Sequence, residues 1–197
     1  MSGNEQALVR YRLDPGLSTF RVQAFAMGLL AGFGHNPTIG IRDFTGEVQF
    51  VPGTLAQASL RFTIKTRSLV VIDEIRERDR EEIERTMLQT VLESSVYPEI
   101  AFRSTSIIAN KAADRRYKVR IIGDLTLHGI TRNGIWITAQ LTLEGDRLRA
   151  QGDFTLRQTD YKIKPISVAA GTLKLRDELK FSFDLAGHQV TTSYPSP

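Results

Sequence analysis

Gly123-Asp-Leu-Thr-Leu-His-Gly-Ile-Thr131 decides how this chain is read. Apolar and polar residues alternate through Leu125 and Leu127, and His128-Gly129 then turns the chain. Alternation with a period of two, running into a glycine-containing turn, is how a half-buried β-strand meets a hairpin. Working outward, the same period recurs on both sides. Residues 117–127 set Tyr117, Val119, Ile121, Leu125 and Leu127 against Lys118, Arg120 and Asp124. Residues 133–144 set Ile135, Ile137, Leu141 and Leu143 against Thr138, Gln140 and Thr142. Further strands are expected at 18–26, 44–51, 58–66, 99–109, 147–157 and 179–186, with a short piece at 173–175. Most are joined by short turns such as Pro52-Gly53 and Gly145-Asp146. The pattern predicts an all-β, antiparallel domain of about eight strands. Eight tilted strands can close into a barrel, which leaves no exposed edge and an interior wide enough for packed side chains or one small ligand.

One stretch breaks the alternation. Residues 73–92 contain no Gly or Pro, are rich in Glu and Arg, and repeat Ile83, Met87 and Val91 at i, i+4 and i+8. This predicts an amphipathic helical insertion near residues 74–92. Arg78–Glu82 and Glu81–Arg85 are spaced for i, i+4 ion pairs. The insertion reads as a lid over one barrel end; a ligand gate, or a partner surface presented by Glu81, Glu82 and Glu84, stays open.

Composition narrows the function classes. The chain has 197 residues, 26 basic and 22 acidic, for a net charge of +4. Residues 73–85 alone carry −3, so the rest carries +7, spread over many strands. No clustered basic stripe points to nucleic acid. The absence of cysteine excludes disulfides, thiolate catalysis and Cys-based zinc sites. The opening Met-Ser-Gly-Asn-Glu-Gln has no basic region followed by an apolar run. The most apolar stretch, 24–34, is about half the length a transmembrane helix needs. We therefore expect no transmembrane segment and a cytoplasmic protein. Residues 1–9 and 188–197 read as flexible tails around one domain at 10–187.

The candidate sites are few. Strand parity gathers Phe25, Phe44, Val48, Phe50, Leu60, Phe62, Ile64, Ile100, Phe102, Leu125, Leu127, Ile137, Leu141, Phe154, Phe181 and Phe183 as an inward apolar face. It can be an ordinary packed core or a dry channel for a long apolar ligand. The glycines at 28, 32, 34, 46, 123 and 152 favour unfilled volume, since glycines inside strands mark bends or close approach. Glu47, Asp153 and Asp184 fall on the outward face, which argues against an acid–base pair inside. His35, His128 and His188 have no ligand or catalytic spacing. His35, in Gly34-His35-Asn36-Pro37, follows a glycine-interrupted apolar run and is expected at a cavity mouth. With Asn36 and Asp160 it is a head-group candidate. An enzyme or metal site around His35 is the alternative. No catalytic residue, metal or required cofactor is assigned.

Several of these pieces together resemble the YceI-like, or polyisoprenoid-binding, family. Tyr11-Arg-Leu-Asp-Pro-Gly-Leu-Ser-Thr-Phe20 is similar to its opening motif, and Phe44-Thr-Gly-Glu-Val-Gln-Phe50 to its second strand. Tyr97-Pro-Glu-Ile-Ala-Phe102 resembles its Tyr-Pro strand, and Gly123–Thr131 its central hairpin. The resemblance spans about 10–187. It implies an eight-stranded lipocalin-like barrel with an elongated tunnel, an isoprenoid quinone or related long-chain lipid as ligand, a carrier, storage or stress-response role, and a homodimer. The sequence departs from the family in the helical insertion, in Arg157–Lys162 and in Gly34–Pro37.

Overall fold

The computed structural model describes residues 8–27, 36–168 and 173–190. Its strands are β1 Val9–Leu13, β2 Thr19–Gln23, β3 Ala26–Met27, β4 Thr38–Ile41, β5 Phe44–Phe50, β6 Ser59–Lys65, β7 Leu69–Val71, β8 Glu99–Ala113, β9 Arg116–Leu127, β10 Ile130–Glu144, β11 Arg147–Arg157, β12 Ser167–Val168, β13 Leu173–Leu175 and β14 Glu178–Gln189. They pair antiparallel in the order β1-β5-β6-β8-β9-β10-β11-β14, and β14 pairs back onto β1 through Tyr11↔Gln189 and Leu13↔Gly187. The result is a closed eight-stranded barrel, as the alternation predicted.

Three barrel strands are bent, and each bend has a local cause. β1 and β2 both lie along β14, at 187–189 and 180–184, as two halves of one strand. Asp14-Pro15-Gly16 breaks it with a 3₁₀ turn, in which the Gly16 N–H donates to Asp14 Oδ1 at 2.8 Å. β4 and β5 are likewise one strand bent at Arg42-Asp43, and β6 and β7 one strand bent at the 3₁₀ turn Thr66–Ser68. These bends account for what the sequence reading lacked. β1, β4 and β7 are three to five residues long, too short for a period to register. Val9 and residues 188–189, read as tails, are paired strand; residues 1–7 and 191–197 lie outside the described residues.

The two ends of the barrel differ. At one end Tyr11 stacks on Phe50 at 5.4 Å, and Leu148 and Leu55 are buried beside them. At the other end, the strand formed by β6 and β7 parts from β8 beyond the Lys65↔Glu99 pair. The insertion fills that seam. Helix α1, Glu77–Thr86, lies against β7, and its Glu84 Oε1 accepts the Val71 N–H at 2.8 Å. An edge donor without a strand partner is thus satisfied by a carboxylate. Arg80 Nη2 donates to the Asp73 carbonyl, and Asp73 Oδ2 accepts the Thr38 N–H, which fastens the start of α1 to β4.

The predicted helix over 74–92 is therefore shorter than expected and changes pitch. Met87–Val91 form one π-helical turn, closed by the Leu92 N–H on the Met87 carbonyl at 2.9 Å. A π-turn inserts one extra residue and rotates the side chains after it about the helix axis. Here Ile83, Met87, Val91 and Leu92 all reach the barrel interior.

Candidate functional site: the barrel cavity

The interior holds a cavity of about 640 Å³, within the ~300–1,000 Å³ usual for small-molecule sites. It extends from Phe50, Leu55 and Leu148 at the plugged end to Asp79, Ile166 and Lys174 at the helix end. The barrel is thus hollow and not filled by its own side chains. The cause lies in the wall. Phe102 and Phe183 lie along it, over glycines of adjacent strands. A Cβ placed on Gly123 would sit 2.5 Å from Phe102 Cζ, and one on Gly152 would sit 2.7 Å from Phe183 Cζ. With room over a glycine, each ring lies flat against the sheet and does not cross the bore.

The lining is almost wholly apolar. Among the described residues its polar members are Asp79, Glu82, Thr86, Gln158 and Lys174. Asp79, Glu82 and Thr86 belong to α1 and Lys174 to β13, both at the helix end. Asp79 is paired with Arg76 at 3.0 Å. Gln158 is different: it is 5% exposed, and its Nε2 donates to the Arg176 carbonyl at 2.9 Å. Among the described residues it is the buried polar side chain on the cavity wall; Thr66 and Ser94, also buried, do not line it. Away from the helix end and Gln158, such an interior offers nothing to solvate a charge, whose burial without a partner is heavily penalised.

Val48, Phe50, Leu60, Phe62, Ile64, Ile100, Phe102, Leu125, Leu127, Ile137, Leu141, Phe154, Phe181 and Phe183 all stand on this lining. Phe25 and Phe44 do not. In and beyond β2 the inward positions are Phe20, Val22 and Ala24, so Phe25 has the opposite parity, and Arg176 lies over its ring at 5.9 Å. Phe44 is buried, but it stacks on Phe62 at 4.9 Å, and Phe62 takes the cavity-facing place. The sequence reading missed Leu13, Ile39, Ile41 and Leu69 on or beside the bent segments, along with the helix residues that close the seam.

The polar candidates have other tasks. His35 lies outside the described residues. Asn36 is exposed, and its Oδ1 accepts the Ala26 N–H at 2.8 Å. Asp160 is exposed, and its backbone carbonyl accepts from Arg132 Nε at 2.7 Å. Neither side chain lines the cavity. His128 and Gly129 have φ of 51° and 71°, a tight hairpin turn beneath Tyr97. His128 Nε2 lies 2.7 Å from Glu93 Oε2, tying this hairpin to the segment after the π-turn. His188 is on the barrel exterior near Asp14. No three His, Asp or Glu side chains cluster as a metal site among the described residues. Tyr161 is 1% exposed and its hydroxyl has no partner among the described residues; burial, and then Asp160, push its phenol pKa up to about 12.

No curated protein matches the chain by sequence. Solved structures do match its fold. BcnA of Burkholderia cenocepacia superposes with a TM-score of 0.65 at 17% identity, covering 88% of this chain and 98% of that one. A polyisoprenoid-binding domain from Saccharophagus degradans, implicated in plant cell wall breakdown, gives 0.65 at 15%, covering 91% and 98%. The YceI protein of Campylobacter jejuni gives 0.61 at 17%, covering 80% and 87%. At these identities the likeness is one of fold. The sequence profile of the YceI-like domain, however, matches residues 11–186, which is almost the whole closed barrel, and on that ground the chain belongs to the YceI-like family.

Proposed function

We propose that the protein binds a neutral long-chain lipid of isoprenoid type inside the barrel, as a carrier or store and without transforming it. The observation that carries this reading is the hollow interior, whose one buried polar wall group among the described residues is the Gln158 amide. Family membership supports it, as does the likeness to a domain described as polyisoprenoid-binding. A chain threaded along the lining gains about 0.8 kcal/mol for each CH₂ it buries. An ionised head could not be neutralised there, so the head is uncharged or stays at the helix end. Gln158, not Asn36 or Asp160, is the proposed head-group contact. A homodimer and a cytoplasmic location complete the reading.

Mass spectrometry of an organic extract from purified protein tests it. The expected result is a neutral long-chain lipid near equimolar with the protein, with reduced yield from Gln158→Leu. An empty extract together with no uptake of isoprenoid quinone or polyprenol probes would overturn it.

A further inference from the structure

We infer that the outer face of β8, β9 and β10 docks on a membrane surface bearing anionic headgroups. The sheet register places Ser106, Ile122 and Trp136 in one row, Ile108, Arg120 and Thr138 in the next, and Asn110, Lys118 and Gln140 in the third. Trp136 is 61% exposed and Ile108 48%, although both are large apolar side chains on regular strand. The Arg120 guanidinium lies over the Trp136 ring, 5.2 Å from its centroid. From Arg103 through Gly123 there are six basic residues and a single acid, Asp114, and residues 133–143 of β10 carry no charge. Asp114 is paired with Arg115 at the hairpin tip. Arg103, Arg116, Lys118 and Arg120 are exposed and make no ion pair among the described residues.

Tryptophan favours the headgroup level of a bilayer, where its ring is half in hydrocarbon and half wet. Lysine and arginine around it meet phosphates, and each basic side chain near such a surface raises partitioning roughly fivefold. The opposing surface must be negative. A second copy of this chain fits poorly, because a two-fold pairing through the same patch would set Arg120 and Lys118 against like charges. The docking is independent of the cavity and its contents.

Trp136 is the sole tryptophan of the chain, so its emission reports on this face alone. The full-length protein is mixed with vesicles of phosphatidylcholine alone, and with vesicles containing about one third phosphatidylglycerol. The expected result is cosedimentation and a blue shift of Trp136 emission with the second kind only, both abolished by high salt. Lys118→Glu combined with Arg120→Glu, with its thermal melt checked, is expected to weaken partitioning about twentyfold or more. The inference is overturned by wild-type protein that neither sediments nor shifts its emission. Equal binding to both vesicle types, or binding undiminished in the double variant, also overturns it. So does a shift produced by self-association without vesicles, or tighter binding to nucleic acid than to anionic vesicles.

Discussion

At Gly152 a methyl group would meet the Thr138 carbonyl oxygen on one side and Phe183 on the other. The first is backbone in a paired strand and cannot give, and the second, an aromatic ring lying on the wall, can give only into the bore. Gly152→Ala should therefore destabilise by about 2–3 kcal/mol, at the upper end of overpacking costs, and chemical denaturation will read it. The same change would push the Phe183 ring into the bore and shrink the cavity. Tyr161 presents the opposite case. Its buried hydroxyl lacks a partner, and leaving such a group unsatisfied costs about 1–3 kcal/mol. Tyr161→Phe is expected to leave stability at neutral pH unchanged or raise it by about 1 kcal/mol. The phenol also titrates. Its pKa is raised from 10.0 in the folded state to about 12, so it contributes fully below pH 10 and the contribution is lost as pH rises towards 12. Equilibrium unfolding followed from pH 9 to 12 should show that loss in wild type and a shallower one in Tyr161→Phe. At this scale sequence parity served well for Leu125, Leu127, Phe181 and Phe183, which sit in long regular strands. Phe25, just past the end of β2, was misplaced, because alternation carried on from Phe20, Val22 and Ala24 puts it on the outer side.

Among the elements, α1 and its π-turn hold the seam where β7 has parted from β8. Glu84 supplies the acceptor that β8 would have supplied to Val71 had it stayed paired. Hydrogen bonds to charged groups contribute about 1.5–3 kcal/mol. Glu84→Ala should lower stability by about 1–2 kcal/mol and speed amide exchange at Val71 well before the core of β9 and β10. A uniform acceleration across the barrel, with Val71 exchanging no earlier than β9 and β10, would contradict this role. That an amphipathic segment existed here was legible from Ile83, Met87 and Val91. Its pitch change at Met87 was not, since a π-turn has no period of its own in a stretch this short. β4 and β7 escaped for a related reason: Thr-Ile-Gly-Ile and Leu-Val-Val become strands only because the bends at Arg42-Asp43 and Thr66–Ser68 continue β5 and β6.

For the whole molecule, a ligand that binds only the folded barrel must raise its melting temperature by mass action. Loading wild type with an isoprenoid probe should do so. Ala139 is buried on the cavity wall, and Ala139→Phe should fill the bore. This variant should melt as a single cooperative unit yet show no probe-dependent shift; a preserved shift would place the ligand elsewhere. The barrel itself was legible because eight amphipathic strands have few other ways to hide one face. The cavity was not, because the same alternation describes a full barrel and an empty one. The difference rests on where the Phe102 and Phe183 rings lie, and a sequence names rings without their directions.

The pairing of β1 with β14 has one more consequence. Tyr11 and Gln189 are partners, so β1 waits on β14 for its second neighbour. During synthesis on a ribosome the barrel cannot close until residues near 189 have emerged, and until then β1 and β11 remain open edges exposed to mispairing. Contacts between such distant parts of the chain also slow folding in free solution. The same adjacency makes the protein a natural subject for circular permutation. Joining the old ends with a short linker and opening the chain at the exposed tip near Asp114 would preserve every strand pair while changing which one forms last.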